Sequence, residues 1–429
     1  HFTIHSFPTR RSSDLSPRSR PDRPLLHPGS LHSVLDLSRL QEQIDAFESY
    51  QVQSEDRRQL QRQRARAAVR DLEETWTDVR DEVQAEEPRE LVARMREPPT
   101  EATDAPERPT PITVVATDGS QIYPDRHVEP TYFLLNVSRV AFQYGTTEPP
   151  SLNAVPDLRF REDLDAHFDA LLASMTTEVV SALRDEMELE HLLEAARENA
   201  VGGRPLVALA DGTLIRWMIR GMRNQPLEEE LIHRYTGYLE AFREQELPLA
   251  SYVSMPGTTE VVNLLRFVLG ELGDEREWIE RDDEGGGTPT LRGFLDRTLF
   301  DDILGPGERS ALFGSASHII RESYPEGQAI CYFYVKVPTG PRTTEIARVE
   351  MPEWVLDLSS AVDHIHATVL DECAKGEGYP VSLSEAHERA VIRADERDAF
   401  FRLLERRLRG AGLPTTGSRK RLSKQRPRV

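Results

Sequence analysis

Two short runs of core-type residues end in the same dipeptide. Ile112 to Thr117 (ITVVAT) leads into Asp118-Gly119, and Leu206 to Ala210 (LVALA) leads into Asp211-Gly212. Aliphatic and β-branched runs of this length, bounded by turn residues, predict strands covered on both faces. A carboxylate at the carboxyl tip of such a strand lies where open α/β sheets bind ligands. The glycine after it lets the chain turn sharply, or lets a ligand approach the backbone. One Asp-Gly is ordinary turn chemistry. Two at matching positions, with a helical stretch between them, predict an α/β sheet whose strand ends share a site.

Further elements follow from pattern. Phe133 to Phe142 (FLLNVSRVAF), LASYVS at 249–254 and ICYFYVKV at 330–337 predict strands, with ARVEM at 347–351 as another. Residues 161–199 and 359–410 predict helix. Upstream, Leu35, Leu37, Leu40, Ile44 and Phe47 recur at near-helical spacing and open a helical arm over 31–96. The arm then turns very polar (SEDRRQLQRQRARAAVRDLEE), as expected for an arm that meets a partner or a dimer mate, or for a helix covering the core. The Pro-rich EPPTEATDAPERPTP places a linker at 97–110 and the main α/β domain at 111–410, with a Gly-rich, acidic insertion at about 280–310. The opening HFTIHSFPTRRSSDL has no periodicity and reads as a cloning or assembly artefact. Residues 16–30, rich in Pro, Arg and Ser, are expected to be disordered, so 1–30 as a whole reads as a disordered or artefactual N-terminus. The basic tail, 411–429, is expected to be unstructured, either a solvated end or a tether to nucleic acid.

Composition narrows the function classes. With 429 residues, 38% of them hydrophobic, the chain can bury a sizeable core as two domains or as one with insertions. It contains no run near the ~20 apolar residues that cross a bilayer, and its first 30 residues hold no signal-type apolar stretch. The expectation is a cytoplasmic protein without membrane contact. Cys331 and Cys373 lack ligand spacing and are expected to be reduced thiols. A net charge of −20 opposes a simple DNA-coating role, so any contact with nucleic acid must use a local basic lining or one borrowed from a partner.

Between the two Asp-Gly signals lies TTEVVSALRDEMELEHLLEA. On a helical wheel Glu186 and Glu190 share a side with Val179, Leu183 and Met187, while Glu188 lies opposite. Carboxylates on an apolar stripe are costly unless a cation or hydrogen bonds compensate; the alternative is a helix margin where they snorkel to water. Strand-Asp, helix-Glu, strand-Asp supplies hard oxygen ligands for one or two Mg²⁺ or Mn²⁺ ions. Two ions ~3.5–4 Å apart can activate water and stabilise the leaving oxygen in phosphodiester cleavage. That order resembles ribonuclease-H-like nucleases, whose fourth ligand comes from a late helix. The late helical region here offers His387, with Asp395 two turns on. A lone helical histidine is more often structural, and so are His364 and His366, which fall on different helix faces. There is no GxxxxGK[ST], HExxH, GxSxG or Cys/His cluster, which excludes a P-loop ATPase and the common hydrolase motifs.

The segments VVATDGSQIYP, LVALADGTLIRWMI, ASYVSMPGTTEVVNLLR, FYVKVP with ARVEMPEWV, and GYPVSLSEAHERAVI occur in the order seen in NurA-domain proteins. The resemblance covers roughly 111–400. It implies a ribonuclease-H-like mixed sheet flanked by helices, a homodimer with a central channel, and Mn²⁺-dependent nuclease activity (Mg²⁺ being the alternative ion). The implied substrates are single-stranded DNA and duplex ends in double-strand-break repair, with a HerA-like hexameric ATPase translocase as partner. Asp118 matches the family's first catalytic Asp, Asp211 the second, and His387 the late-helix His. The family pattern favours Glu188 as the helical ligand and the wheel favours Glu190, so both stay as candidates. Ser254 and Arg348-Val349-Glu350 match segments near the site without an assigned role. Two other classes compete: a catalytically silent adaptor or dimeric clamp for a translocase, and a metal-dependent phosphatase-like hydrolase of small phosphoesters.

Overall fold

The computed structural model describes residues 40–86, 88–124, 132–160, 177–217, 225–273 and 289–412. The expected disordered start (1–30), nearly all of the basic tail, the first part of the long helix expected at 161–199 and the Gly-rich part of the 280–310 insertion lie outside the described residues. The chain divides into two units, His1–Ser54 and Glu55–Val429. Of the first, the described part is the start of helix α1 (Gln41–Asp71).

The second unit continues α1 and adds α2 (Trp76–Glu86) and the short strands β1 (Arg94–Met95) and β2 (Ala102–Thr103), the latter within the Pro-rich segment. Strands β3 (Ile112–Ile122), β4 (Tyr132–Tyr144) and β5 (Ser151–Phe160) follow, then α3 (Thr177–Asn199) and β6 (Leu206–Asp211). Next come α4 (Gln225–Glu244), β7 (Leu249–Ser254), α5 (Glu260–Val268) and α6 (Asp296–Ile303). The chain goes on through β8 (Arg309–Ser310), β9 (Phe313–Gly314), α7 (His318–Ser323), β10 (Ile330–Gly340) and β11 (Thr343–Pro352). The late helical region resolves into α8 (Ala361–Lys375), α9 (Val381–Ala390) and α10 (Ala394–Gly410).

The strands form one mixed sheet in the order β1-β9-β10-β11-β7-β6-β3-β4-β5, with β2 and β8 paired beside β10. At its centre β3 runs parallel to β6 and antiparallel to β4, while β6 runs parallel to β7 and β4 antiparallel to β5. The five-strand order β5-β4-β3-β6-β7, with helices packed on it, is a ribonuclease-H-like arrangement. Strands β11 and β10 extend it with antiparallel pairs beyond β7.

The central strands behave as their sequences demand. Every residue from Ile112 to Thr117 is buried, and both α3 and α9 pack on β3. Strand β5 was not foreseen. Its sequence SLNAVPDLRF carries Pro156 and alternates only weakly, because β5 is an edge strand, where a residue lacking an N–H is tolerated. The part of α1 beyond Glu55 covers a second core: Ala65, Ala68, Val69 and Leu72 pack with residues of α5, α6 and β10. Arg62 pairs with Asp302 at 2.6 Å and Arg64 with Glu271 at 2.6 Å beside it. Among the described residues no helix is long and apolar enough to cross a membrane.

Candidate functional site

Strands β3 and β6 run side by side from Thr113↔Leu206 to Ala116↔Leu209. Beyond that register they diverge, and Asp118 and Asp211 come to the same end of the sheet. Asp211 closes β6 as expected, but Asp118 does not end its strand. β3 runs on to Ile122 because its antiparallel pairing with β4 continues past the point where β6 leaves it. Gly119 is required for closeness rather than for a turn: a Cβ there would lie 2.5 Å from Glu188 Oε1 and 2.8 Å from Arg184 Cγ. Gly212 does serve the turn, at φ +75°.

Helix α3 is fixed against β3 by the Thr117 hydroxyl, which donates to the Glu188 carbonyl at 3.0 Å. This brings Glu188 to Asp118 and Asp211. Asp118, Glu188, Asp211 and His387 line one cleft of about 440 Å³, together with Gly119, Arg184, Asp185, Arg216 and Trp217. His387 Nδ1 lies 2.7 Å from Asp118 Oδ2. The Tyr379 hydroxyl donates to Asp211 Oδ1 at 2.8 Å. Arg184 Nε lies 2.9 Å from Glu188 Oε1, and its Nη2 lies 2.7 Å from Asp185 Oδ1.

Glu190 is not brought into this cleft. It stands beside Glu186, His191 and Glu194, and burial, followed by Glu186 repulsion, raises its pKa. Glu186 is buried elsewhere, accepting from the Tyr238 hydroxyl at 3.0 Å. The wheel pointed to these two because α3 is buried on more than one side, against the sheet and against α4, so its apolar residues mark no single inward face. Ser254 bonds to Glu345 outside the cleft. Arg348 and Glu350 lie beneath it in a buried network described below. His366 is buried with Nε2 donating to the Gly307 carbonyl at 2.9 Å, and Cys331 and Cys373 are buried free thiols that burial pushes up to about 12.

The electrostatics of the cleft are those of crowded carboxylates. Burial raises the Glu188 pKa, with Asp185 and Asp118 adding to the rise and Arg184 opposing it. Burial likewise raises Asp211, helped by Asp118 and opposed by the Tyr379 hydroxyl, the Gly212 amide and His387. Charges brought this close need a cation, and the Arg184 guanidinium sits among them. Among the described residues no three His, Cys, Asp or Glu groups are drawn into a ready-made metal cage, since protein partners hold these carboxylates. The sequence did not single out Arg184, Asp185, Arg216, Trp217 or Tyr379. Arg184 and Glu188 are nonetheless an i,i+4 pair visible in the sequence, and Arg216, Trp217 and Tyr379 lie inside the segments that carried the family resemblance.

Fold and site define the class: a ribonuclease-H-like α/β protein with a carboxylate- and histidine-lined cleft where two adjacent parallel strands end their shared register. A model of the NurA domain matches residues 112–392, and the chain belongs to that family. Among solved structures it is similar to the NurA nuclease from Sulfolobus solfataricus at 14% identity and TM-score 0.45, covering 72% of this chain and 88% of that one. It is also similar to the catalytic domain of human Endonuclease V, at 13% identity and TM-score 0.29, covering 80% and 98% of the two chains. LC9-RNase H1 gives 16% identity and TM-score 0.18 over 44% and 88%. The comparison with curated proteins gave no match.

Proposed function

We propose that this protein is a metal-dependent DNA nuclease that hydrolyses phosphodiester bonds at the cleft of Asp118, Glu188, Asp211 and His387. The observation that carries it is convergence: carboxylates from β3, α3 and β6 and a histidine from α9, dispersed over the chain, line one cleft of about 440 Å³. Membership of the NurA-domain family supports the same reading.

The donor set suits Mn²⁺ or Mg²⁺. Carboxylate oxygens are the ligands such hard cations take, and the guanidinium already among them meets the cluster's need for positive charge. Asp118, Glu188 and Asp211 would hold the ion, with His387 as the fourth candidate. When bound, the ion supplies a water nucleophile and charge stabilisation at phosphorus.

The chain's own residues do the rest. Asp118 Oδ2 accepts from His387 Nδ1, which fixes the ring and leaves Nε2 as its second polar atom. The Tyr379 hydroxyl sets the rotamer of Asp211. Arg184 and Arg216 place positive charge among the cleft's carboxylates, where the net charge of −20 leaves the average surface acidic.

The proposal extends, on family grounds, to double-strand-break repair, to single-stranded DNA and duplex ends as substrates, to a homodimer, and to a HerA-like hexameric ATPase that delivers DNA. The test is degradation of end-labelled single- and double-stranded DNA with Mn²⁺ or EDTA, by wild type and Asp118→Ala. Mn²⁺-dependent cutting lost in the variant is the expected result. A wild type inert with Mn²⁺ and Mg²⁺, even beside its translocase, leaves a catalytically silent adaptor.

A further inference from the structure

We propose that Arg216 and Trp217 form a nucleotide-binding subsite of the cleft, Arg216 taking a backbone phosphate and Trp217 stacking an unpaired base. This selects single-stranded over intact duplex nucleic acid. The inference rests on the nuclease reading of the same cleft and assigns it two recognition residues.

Both residues sit on the short segment that follows Asp211, and that segment is rigidly held. Glu350 Oε2 accepts from the Thr213 hydroxyl and from the Leu214 amide, each at 2.8 Å. Glu350 Oε1 accepts from Arg348 Nε at 2.8 Å, and Arg348 Nη1 donates to Glu260 at 2.8 Å, all within the core. The Leu214 carbonyl accepts from the hydroxyls of Tyr235 at 3.1 Å and Tyr324 at 2.7 Å. The Ile215 amide donates to the Thr213 hydroxyl at 3.0 Å, and the Trp217 amide donates to the Ile215 carbonyl at 2.8 Å. Anchoring of this kind presents the next two side chains in fixed positions, the condition for recognition without an ordering cost.

Trp217 is left open to the cleft, and the partly buried Arg216 lines it. Leu214 and Ile215 are 0% and 1% exposed, yet Trp217, with far more apolar surface to hide, is 40% exposed in a polar wall. The Arg216 guanidinium lies 4.3 Å over the Tyr235 ring, which fixes its plane. Its ion pair with Asp185 is stretched to 4.0 Å, and its Nε has no hydrogen-bond partner among the described residues. A planar, under-used fork of donors suits a phosphate. An open indole suits a base face, and every base has one. In a duplex that face is already stacked, so only an unpaired strand can use both groups.

The test uses the full chain with a 15-nucleotide oligothymidylate and a blunt hairpin duplex, in CaCl2 without Mn²⁺ or Mg²⁺. Tryptophan emission and the anisotropy of a labelled strand are read together. Wild-type emission should quench saturably with the single strand and not with the hairpin. Trp217→Phe should lose the quench yet bind within about threefold of wild type, and Trp217→Ala should bind roughly tenfold more weakly. Arg216→Gln should bind more weakly and reduce the salt slope of affinity by about one. The subsite is overturned if the quench survives in Trp217→Phe, if Trp217→Ala binds as wild type, or if wild type binds no oligothymidylate. A protein that cuts DNA but ignores Trp217→Ala fails here alone. One that binds through Trp217 and never cuts fails the nuclease reading alone.

Discussion

His387 Nδ1 and Asp118 Oδ2 meet at 2.7 Å across 269 residues of sequence. The contact is set by how α9 ends. Side chains of β3 and β4 bond to carbonyls of its C-terminal half. Ser138 Oγ donates to the Ala386 carbonyl at 2.7 Å, and the Ala390 carbonyl accepts from Asn136 Nδ2 at 2.8 Å and from the Ser120 hydroxyl. The helix terminus is thereby fastened to the strands that carry the first carboxylate, and His387 stands over it.

A side chain at Gly119 should disturb the cleft rather than the fold. A Cβ would press on the Glu188 carboxylate and the Arg184 stem, both of them movable, and on no backbone atom. Gly119→Ala should therefore unfold at nearly the wild-type temperature while cutting DNA about a hundredfold more slowly, the scale expected of a group displaced by ~1 Å. Thermal denaturation and a cleavage assay on the same preparation separate the two effects. A variant with full activity contradicts the placement of Glu188.

Glu350 holds up the floor of the cleft. Glu350→Ala strands the Leu214 amide and leaves Arg348, 1% exposed, with Glu260 as its remaining carboxylate partner. Breaking one side of a buried ionic group costs about 3–5 kcal/mol. Urea unfolding should show that loss, and a change under 1 kcal/mol counts against a structural role for the network.

Burial lowers the His366 pKa from 6.5 to about 4. Between those values the unfolded chain carries a proton that the folded chain does not. Stability is thus full above about pH 6.5 and falls as the pH drops toward 4, by up to about 3 kcal/mol. His366→Gln should remove this component. Between pH 7.5 and 5.0, wild type should lose about 2 kcal/mol more than the variant in urea unfolding. Equal losses in both proteins contradict the buried neutral histidine.

Much of this architecture was visible in the sequence, for identifiable reasons. Strands β3 and β6 are buried on both sides, so their residues form continuous apolar runs, and each ends its shared register near an Asp-Gly. The edge strand β5 faces water, carries a proline and leaves no such trace. The helical carboxylate of the cleft was ambiguous because α3 buries Glu186 along with its aliphatic residues, while Glu188 is set by one contact, Thr117 Oγ1 to its carbonyl, that periodicity does not encode. Tyr379 reaches Asp211 over 168 residues. Contacts of that range depend on where whole elements land, and local pattern is silent on them.

The central claim is that Glu188, with Asp118 and Asp211, holds a divalent ion, and that Glu190 does not. The direct measurement is a Mn²⁺ titration followed by electron paramagnetic resonance on wild type, Glu188→Gln and Glu190→Gln. Wild type should bind Mn²⁺, Glu190→Gln should match it, and Glu188→Gln should bind roughly 10–100-fold more weakly, the range for losing a group that holds or orients a metal. A wild type that takes up no Mn²⁺, or a loss confined to Glu190→Gln, contradicts the account.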